Sequence, residues 1–257
     1  MKHSIKSTMF MGALLFGLLM CFTSCEDILG TWDKPTPTNV TPSGGDDDGG
    51  GSTPSAYTMA KDATSADKGK LICLDGHIHA DGADTECTKD RVAMICYVGN
   101  DAETNTTFNH GLALALSNAG SERWCSVEGA QCLATLYADN TAAKTDVAGI
   151  ANTDALVNHA SHTHAAAAAA RNYNGGTHPT GTSEWFLPSA GQWDKMGTAV
   201  GGHDKLATNA GLGTGQFYKS SSELDTYHDW NYQSYYGGLS NGDYKSYDGL
   251  VRACLAF

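Results

Sequence analysis

Residues 30–57 limit what this chain can fold into, because they divide it into two parts of different character. They are rich in Pro, Thr, Gly, Ser and Asp, and the run 44–52 reads Gly-Gly-Asp-Asp-Asp-Gly-Gly-Gly-Ser. A segment of this composition buries too little apolar surface to offset the entropy lost on ordering. We interpret residues 25–57 as a disordered, acidic tether. Residues 58–257 remain, which is enough for one domain with a hydrophobic core.

The first 24 residues have the pattern of an export signal. Two lysines precede an apolar run, Met9–Phe22, which suits a signal peptide and is short for a membrane span of roughly 20 residues. Small residues then precede Cys25, as in a bacterial lipobox. We predict that residues 1–24 are removed and that Cys25 is acylated. The alternative is an ordinary secretory signal beside an unrelated cysteine, and both interpretations place the chain outside the cytoplasm.

Charge excludes some partners. The chain has 28 acidic and 16 basic residues, a formal net charge of −12. Nucleic acid is not an expected partner, because phosphate neutralisation by basic residues drives such binding. Contact with the outer membrane is expected through the lipid anchor alone. Glu26 and Asp27 follow the acylated cysteine and resemble the surface-export signal of Bacteroidota lipoproteins, which places the protein on the cell exterior.

Six cysteines lie in the domain: Cys73, Cys87, Cys96, Cys125, Cys132 and Cys254. An even number in an exported chain suggests disulfides, and six cysteines allow 15 pairings. No two of them form a C-x-x-C pair, so neither a zinc ribbon nor a thioredoxin-type motif is expected.

Apolar periodicity predicts strands in the first part of the domain. Residues 71–74 and 77–80 flank Asp75-Gly76, a dipeptide that favours a type I′ hairpin turn because both positions need positive φ. Residues 92–98 form a continuous apolar run that indicates a buried strand. The alternation within residues 108–116 suits a second strand.

Helix signals follow, and strand signals return at the chain end. Residues 124–136 suggest a short helix, and residues 153–170 carry an apolar stripe at helical spacing with threonine as the cap. Ser189 and Gln192 are placed as a capping box for another helix. Residues 251–257 alternate as a strand. The order of strands, helices and strands favours an α+β domain whose terminal strands meet.

Several segments of the domain match sequence elements that recur together in one known fold. Residues 185–193, Trp-Phe-Leu-Pro-Ser-Ala-Gly-Gln-Trp, match a W-x-L-P-S/T-x-x-x-W element. Residues 217–223 resemble a Y-W-S-S-S/T-E element, with Lys219 where Trp is usual. Trp230 matches a core Trp that follows, and residues 251–257 match a V-R-x-x-x-A-F ending. By these motifs the domain resembles bacterial proteins of the C-type-lectin fold, in particular lipoproteins of the Fibrobacter-major-domain type from gut Bacteroidota.

The resemblance implies a C-type-lectin-like fold in which two helices pack on small antiparallel sheets. Trp124 and Cys132 resemble the first helix of that fold, W-x-x-A-x-x-x-C, with one residue more. Because the first helix of the family is commonly stapled to the last strand, the resemblance implies a Cys132–Cys254 disulfide. The alternative is that both are free, buried thiols.

The candidate site is the segment 224–250, within a variable-looking region 220–250. Tyr offers large contact area at little entropic cost, and Asn, Ser and Gly offer adaptable hydrogen bonds, as in antibody paratopes. The segment also resembles retroelement-diversified variable regions, and an ordinary polar surface loop is the alternative. We predict ligand contacts from Tyr227, His228, Asp229, Asn231, Gln233, Tyr235, Tyr236, Asn241, Asp243, Tyr244, Tyr247 and Asp248.

Metal and enzymatic functions are not expected. His77 and His79 share a strand face and could chelate a metal with nearby aspartates, but an exposed hairpin is usually ordinary polar surface. His159 and His162 could pair on a metal, and a structural role is the preferred interpretation. The E-P-N and Q-P-D motifs of calcium-dependent sugar binding are missing, as are a G-x-S-x-G motif and a phosphate loop. We therefore expect no cofactor, no metal and no catalysis.

Three hypotheses follow. The first is a surface receptor or adhesin whose ligand is a protein or glycan on another cell, a phage or a host. The second is a structural component of the cell surface. The third is a metal-assisted enzyme that uses the His77/His79 hairpin.

Overall fold

The structure of the protein, a computed structural model, describes residues 58–79, 90–234 and 237–257. All of them belong to one compact unit. The predicted signal peptide, the lipidation site Cys25 and the tether lie outside the described residues, as do Tyr235 and Tyr236. None of the helices in the described ranges has the length and apolar composition needed to cross a membrane.

The described residues form ten strands and five α-helices. In chain order they are β1 (Leu71–Cys73), β2 (Ile78–His79), β3 (Arg91–Val98), β4 (Gly111–Ala115), β5 (Gly120–Arg123), α1 (Asn140–Ala143), α2 (Gly149–Val157), α3 (Ala165–Arg171), α4 (Ala190–Ala199), α5 (His203–Asn209), β6 (Phe217–Glu223), β7 (Asp229–Gln233), β8 (Gly238–Ser240), β9 (Asp248–Val251) and β10 (Cys254–Ala256).

Two five-stranded sheets organise the domain, and the predicted α+β class is confirmed. The first sheet has the order β10-β4-β3-β1-β2, with every pair antiparallel. The second has the order β5-β9-β6-β7-β8 and is mixed, because β6 and β9 meet in a parallel pairing of Tyr218 with Leu250. The terminal strands β1 and β10 share a sheet but are not neighbours, since β3 and β4 lie between them.

The hairpin predicted around Asp75-Gly76 is present with a different turn. Leu71 pairs with His79 and Ile72 with Ile78. Gly76 has φ of +91°, whereas Asp75 does not have positive φ, so the turn is not type I′. A Cβ on Gly76 would lie 2.2 Å from the carbonyl oxygen of Thr180, so this close approach also requires glycine.

The predicted short helix at residues 124–136 is wrong, because this segment is irregular. The predicted helix over 153–170 is instead two helices, α2 and α3, separated by residues 158–164. Thr153 is not a cap. It lies buried inside α2, where its hydroxyl donates to the Gly149 carbonyl and accepts from the Leu187 backbone N–H at 3.0 Å.

The Trp-to-Trp element of residues 185–193 lies at the centre of the domain. Trp185, Leu187 and Trp193 are fully buried. The predicted capping box is confirmed, because Ser189 accepts from the Gln192 backbone and the Gln192 side chain accepts from the Ser189 backbone. The Trp193 indole stacks on Tyr232 of β7 with ring centroids 4.5 Å apart, which packs α4 onto the second sheet.

The predicted Cys132–Cys254 disulfide is wrong, because both residues are free thiols. Cys254 lies in β10 opposite Leu114, within the apolar cluster that surrounds Trp193. Cys132 belongs to the irregular segment and packs in a separate cluster around Trp124. Because residues 124–136 do not form the predicted helix, Cys132 is not placed beside the last strand. Cys73 is disulfide-bonded.

Candidate functional site

Four neighbouring aromatic side chains form what we call the aromatic patch: Tyr227, His228, Tyr244 and Tyr247. Ring centroids are 6.5 Å apart for Tyr227 and His228, 4.7 Å for His228 and Tyr244, and 5.4 Å for Tyr244 and Tyr247. The tyrosines are 49%, 42% and 55% exposed, in chain order. The patch is therefore a continuous aromatic surface that faces solvent, although all four residues come from a polar segment.

Asp225 shapes the turn that presents Tyr227 and His228. Its carboxylate accepts from the backbone N–H of Tyr227 at 2.7 Å and of His228 at 2.8 Å, and contacts His228 Nδ1 at 2.9 Å. Partial burial opposes ionisation of Asp225, but these hydrogen bonds hold its pKa below the usual value. An ionised Asp225 therefore fixes the His228 ring beside the tyrosines.

A second turn brings Tyr244 and Tyr247 alongside the first. His228 and Tyr244 form an antiparallel bridge, and the Lys245 backbone N–H donates to the Tyr227 carbonyl at 2.9 Å. The Tyr247 N–H donates to the Tyr244 carbonyl at 2.9 Å, which closes the turn. Backbone pairing, rather than contact between the side chains alone, therefore sets the spacing of the rings.

Two buried ion pairs lie beneath this surface, and we call them the ionic frame: Lys219–Asp229 and Lys245–Glu223. All four side chains are at most 1% exposed. Lys219 Nζ lies 3.1 Å from Asp229, and Lys245 Nζ donates to the Glu223 carboxylate. Because buried charges are tolerated only when paired, each ion pair ties segment 224–250 to β6.

Glu223 also anchors the irregular segment that replaces the predicted helix. Its carboxylate accepts from the Cys132 backbone N–H at 2.9 Å and from the Leu133 backbone N–H at 2.6 Å. Lys245 Nζ donates further to the Ala130 carbonyl at 2.9 Å. One buried pair thus joins β6, the Tyr244 turn and residues 130–133.

Asp229 and Asn231 do not belong to a ligand surface, which corrects two of the predicted contacts. They are 0% and 1% exposed in β7. Desolvation raises the pKa of Asp229 to about 7, and Lys219 opposes a larger rise. The Asn231 amide donates to Asp229 at 3.1 Å and accepts from the Asp243 backbone N–H at 3.0 Å. Both residues therefore position the segment from inside.

The remaining predicted contacts divide between the patch and its surroundings. Asn241, Asp243 and Asp248 are exposed, and Asp248 pairs with the exposed Arg123 at 3.5 Å. Gln233 is half-buried at the far end of β7 from His228, so the structure does not bring it to the patch. Tyr235 and Tyr236 lie outside the described residues.

Sequence reasoning missed the ionic frame and one flank of the patch. In the sequence, Lys219 and Glu223 stand out only as motif positions. Lys245 gives no signal, because a lysine in a polar stretch is usually exposed. The flank is formed by Gly129, whose N–H donates to the Thr226 carbonyl at 3.0 Å and where an added Cβ would lie 3.5 Å from the Tyr227 hydroxyl.

Within the described ranges, the His77/His79 hairpin holds no group of three ligating side chains close enough to share an ion. His77 Nδ1 lies 3.2 Å from Asp75, while His79 is buried at 8% exposure. The nearby aspartates Asp81 and Asp84 lie outside the described residues. Among the residues that the structure describes, a group of three ligating side chains occurs elsewhere, at Cys125, Cys132 and His164.

Comparison with solved structures finds a fimbrial protein from Bacteroides ovatus ATCC 8483, with a TM-score of 0.52 and 16% sequence identity. The match covers 74% of this chain and 48% of that protein, so the chain spans about half the length of its structural neighbour. At this identity the likeness shows a shared fold alone. No family model and no curated protein matches the chain.

Proposed function

We propose that the protein is a non-catalytic cell-surface protein that binds a protein or glycan ligand through the aromatic patch. The observation that carries this proposal is the arrangement of three exposed tyrosines and a histidine on a segment held by buried ion pairs. Tyrosine side chains supply large amphipathic contact area and lose little rotamer freedom on binding. A preorganised backbone lowers the ordering cost further.

The surroundings of the patch suit hydrogen-bonded recognition. Exposed Asn241, Asp243 and Asp248 lie in the same segment. Ser246 donates to Glu128 beside the turn that carries Tyr247. Polar groups around an aromatic centre are the arrangement of protein interfaces and of sugar sites, where rings supply area and polar neighbours supply orientation.

Surface location and family are part of the proposal. The neighbour with the same fold is a fimbrial protein of a Bacteroides species, which supports a Bacteroidota surface protein. The lipobox at Cys25 supports anchoring in the outer membrane, and the motifs of residues 185–193 and 251–257 support a C-type-lectin-like architecture. The same neighbour favours a second candidate function, a structural component of the cell surface, in which the patch would contact other subunits or nothing.

A binding experiment separates the two candidates. The full mature chain would be tested on a printed glycan array and on intact bacterial cells. The test variant is Tyr227→Ser/Tyr244→Ser/Tyr247→Ser, and the control is Val157→Ser/Phe217→Ser, which removes similarly exposed apolar groups elsewhere. We expect at least ~10-fold weaker binding for the first variant, since truncating a Tyr anchor at an interface commonly costs on the order of 1–2 kcal/mol. Binding to no probe, or equal loss in both variants, would reject the proposal.

We also propose that residues 220–250 are diversified by a retroelement. The Tyr, Asn, Asp and Ser content of the segment supports this, as does the exposure of Tyr244 and Tyr247 on a buried frame. Sequencing the gene and its flanks tests it. A near-copy of the stretch encoding residues 220–257, differing only at adenines and beside a reverse-transcriptase gene, is expected. The altered codons should include those of Tyr244 and Tyr247 and spare that of Glu223. Absence of such a copy would refute diversification.

A further inference from the structure

A compact group of two cysteines and one histidine lies behind the aromatic patch. Cys125, Cys132 and His164 each place one potential ligand atom so that all three atoms lie within 4.8 Å of one another. Cys125 and His164 are buried, and Cys132 is half-buried. Both cysteines are free thiols. An ion could therefore enter from the Cys132 side and be shielded from water on the others.

The distance between the two sulfurs fits a shared metal ion better than a disulfide. The Sγ atoms of Cys125 and Cys132 are 3.8 Å apart. Two sulfurs that each lie about 2.3 Å from a tetrahedral zinc ion are about 3.8 Å apart. A disulfide needs a separation of about 2.05 Å.

His164 is held in the tautomer that a metal requires. Its Nδ1 lies 2.9 Å from the Trp124 carbonyl oxygen, and because a carbonyl only accepts, Nδ1 carries the proton. The lone pair is then on Nε2, which is buried and receives no hydrogen bond from any described residue. His164 is 2% exposed, and such burial favours the neutral ring over the charged one. A backbone carbonyl on one ring nitrogen and a metal on the other is a common arrangement of ligating histidines.

One of the two sulfurs already accepts a hydrogen bond from the backbone. The Val127 backbone N–H donates to Cys125 Sγ at 3.4 Å. Lys245 Nζ lies 5.1 Å from the centre of the Trp124 ring and brings positive charge near Cys132, which the Glu223 carboxylate partly offsets.

We propose that Cys125, Cys132 and His164 bind one zinc ion, through two thiolate sulfurs and one imidazole nitrogen. Each thiol releases its proton to solvent as its sulfur–zinc bond forms, so two protons leave per ion and the site becomes neutral. A water molecule completes the tetrahedron.

The ion has a structural role. It closes the loop 125–132, which contains Gly129, and so fixes the flank of the patch beside Tyr227. It also joins this loop to the residue that precedes α3. Two thiolates and an imidazole suit zinc among the common divalent ions, since calcium and magnesium select oxygen ligands.

The test uses the full mature chain, reduced and stripped with a chelator. Zinc alone is titrated against a chromophoric competitor, and cobalt(II) is added in parallel as a spectroscopic probe. We expect one equivalent of zinc, two protons released, and cobalt spectra with thiolate charge-transfer and tetrahedral d–d bands. Zinc affinity should fall at least ~100-fold in Cys132→Ser and in His164→Gln, because even outer-shell changes cost 10–100-fold.

The control variant is Cys96→Ala, which removes a free thiol in a different apolar cluster and should leave zinc affinity unchanged. Because Cys132 is only half-buried, Cys132→Ser should disturb folding less than the other substitutions. The near-ultraviolet circular dichroism of this variant would verify native packing. No zinc binding by the reduced wild-type chain would overturn the proposal, as would unchanged affinity in folded Cys132→Ser. Recovery of the exported protein without zinc and with a Cys125–Cys132 disulfide, two hydrogens lighter, would overturn it equally.

Discussion

The aromatic patch and the ionic frame come from the same stretch of chain and have opposite surroundings. Tyr244 and Tyr247 are exposed, while Lys245 between them is fully buried and paired with Glu223. Burying a charge costs several kcal/mol unless it is paired, whereas an exposed tyrosine costs folding almost nothing. The frame is therefore where the fold is specified, and the patch is where side chains can change without unfolding the domain.

The largest expected effect comes from breaking the frame at Glu223. Glu223→Gln would leave Lys245 charged and buried without its carboxylate, and it would weaken the hydrogen bonds from residues 132 and 133. Removing one partner of a buried pair costs about 3–5 kcal/mol of unfolding free energy. Urea unfolding followed by Trp fluorescence measures it.

Glu184→Gln is the matched control, because Glu184 pairs with Arg171 but is 67% exposed. An exposed pair contributes at most about 1 kcal/mol. If the two variants lost equal stability, the ionic frame would not differ from a surface pair, and the comparison would fail.

The second largest loss of stability is expected from a side chain at Gly242, which would push the loop that carries the aromatic patch away from the ionic frame. A Cβ at this position would lie 1.4 Å from the carbonyl oxygen of Asp229, so Gly242→Ala must displace the chain that leads to Tyr244. Overpacking of this kind costs about 1–3 kcal/mol. Asn241→Ala, at the exposed neighbour, should change stability by no more than about 0.5 kcal/mol. Equal stability of the two variants would show that the loop does not depend on this close approach.

Local signals allowed parts of the fold to be predicted from the sequence. The buried strand at residues 92–98 and the Ser189–Gln192 capping box depend on neighbours in the sequence, and both predictions are confirmed. The prediction of a helix at residues 124–136 is wrong because groups distant in the sequence determine the conformation of this segment. The Glu223 carboxylate accepts from its backbone N–H groups, a contact that spans about 90 residues and has no local pattern.

Composition indicated the candidate segment but could not show which of its residues are exposed and which are buried. The Tyr, Asn and Asp content directed attention to residues 224–250, and Tyr227, Tyr244 and Tyr247 are exposed there. Asp229 and Asn231 have the same residue types and are buried. Their place is set by Lys219 on β6, and a pairing between strands cannot be derived from composition alone.

A smaller effect is expected from Asp229, which should make the unfolding free energy depend on pH. Its pKa is raised to about 7 in the folded protein, from 3.8 when exposed. Between these values the folded state holds a proton that the unfolded state lacks, so this group's contribution to stability falls as pH rises from about 4 to 7. The unfolding free energy of the wild type minus that of Asp229→Asn should therefore decrease as pH rises from about 4 to 7.

Asp243→Asn sharpens this measurement. The charge of Asp243 contributes to the raised pKa of Asp229, so its removal should move the fall in stability to lower pH. A pH profile unchanged by Asp229→Asn would show that the carboxyl is ionised throughout, as a fully compensated partner of Lys219.

The smallest effect on stability is expected from a substitution in the aromatic patch. It supplies the other half of the comparison with the ionic frame. Tyr247→Ser removes a ring that is 55% exposed and whose centroid lies 5.4 Å from that of Tyr244, so the unfolding free energy should change by no more than about 0.5 kcal/mol. The same urea measurement applied to Glu223→Gln supplies the scale. A loss above about 2 kcal/mol at Tyr247 would mean that the rings hold the turn together. The patch would then be part of the fold rather than a surface free to vary, and the case for ligand binding would lose its support.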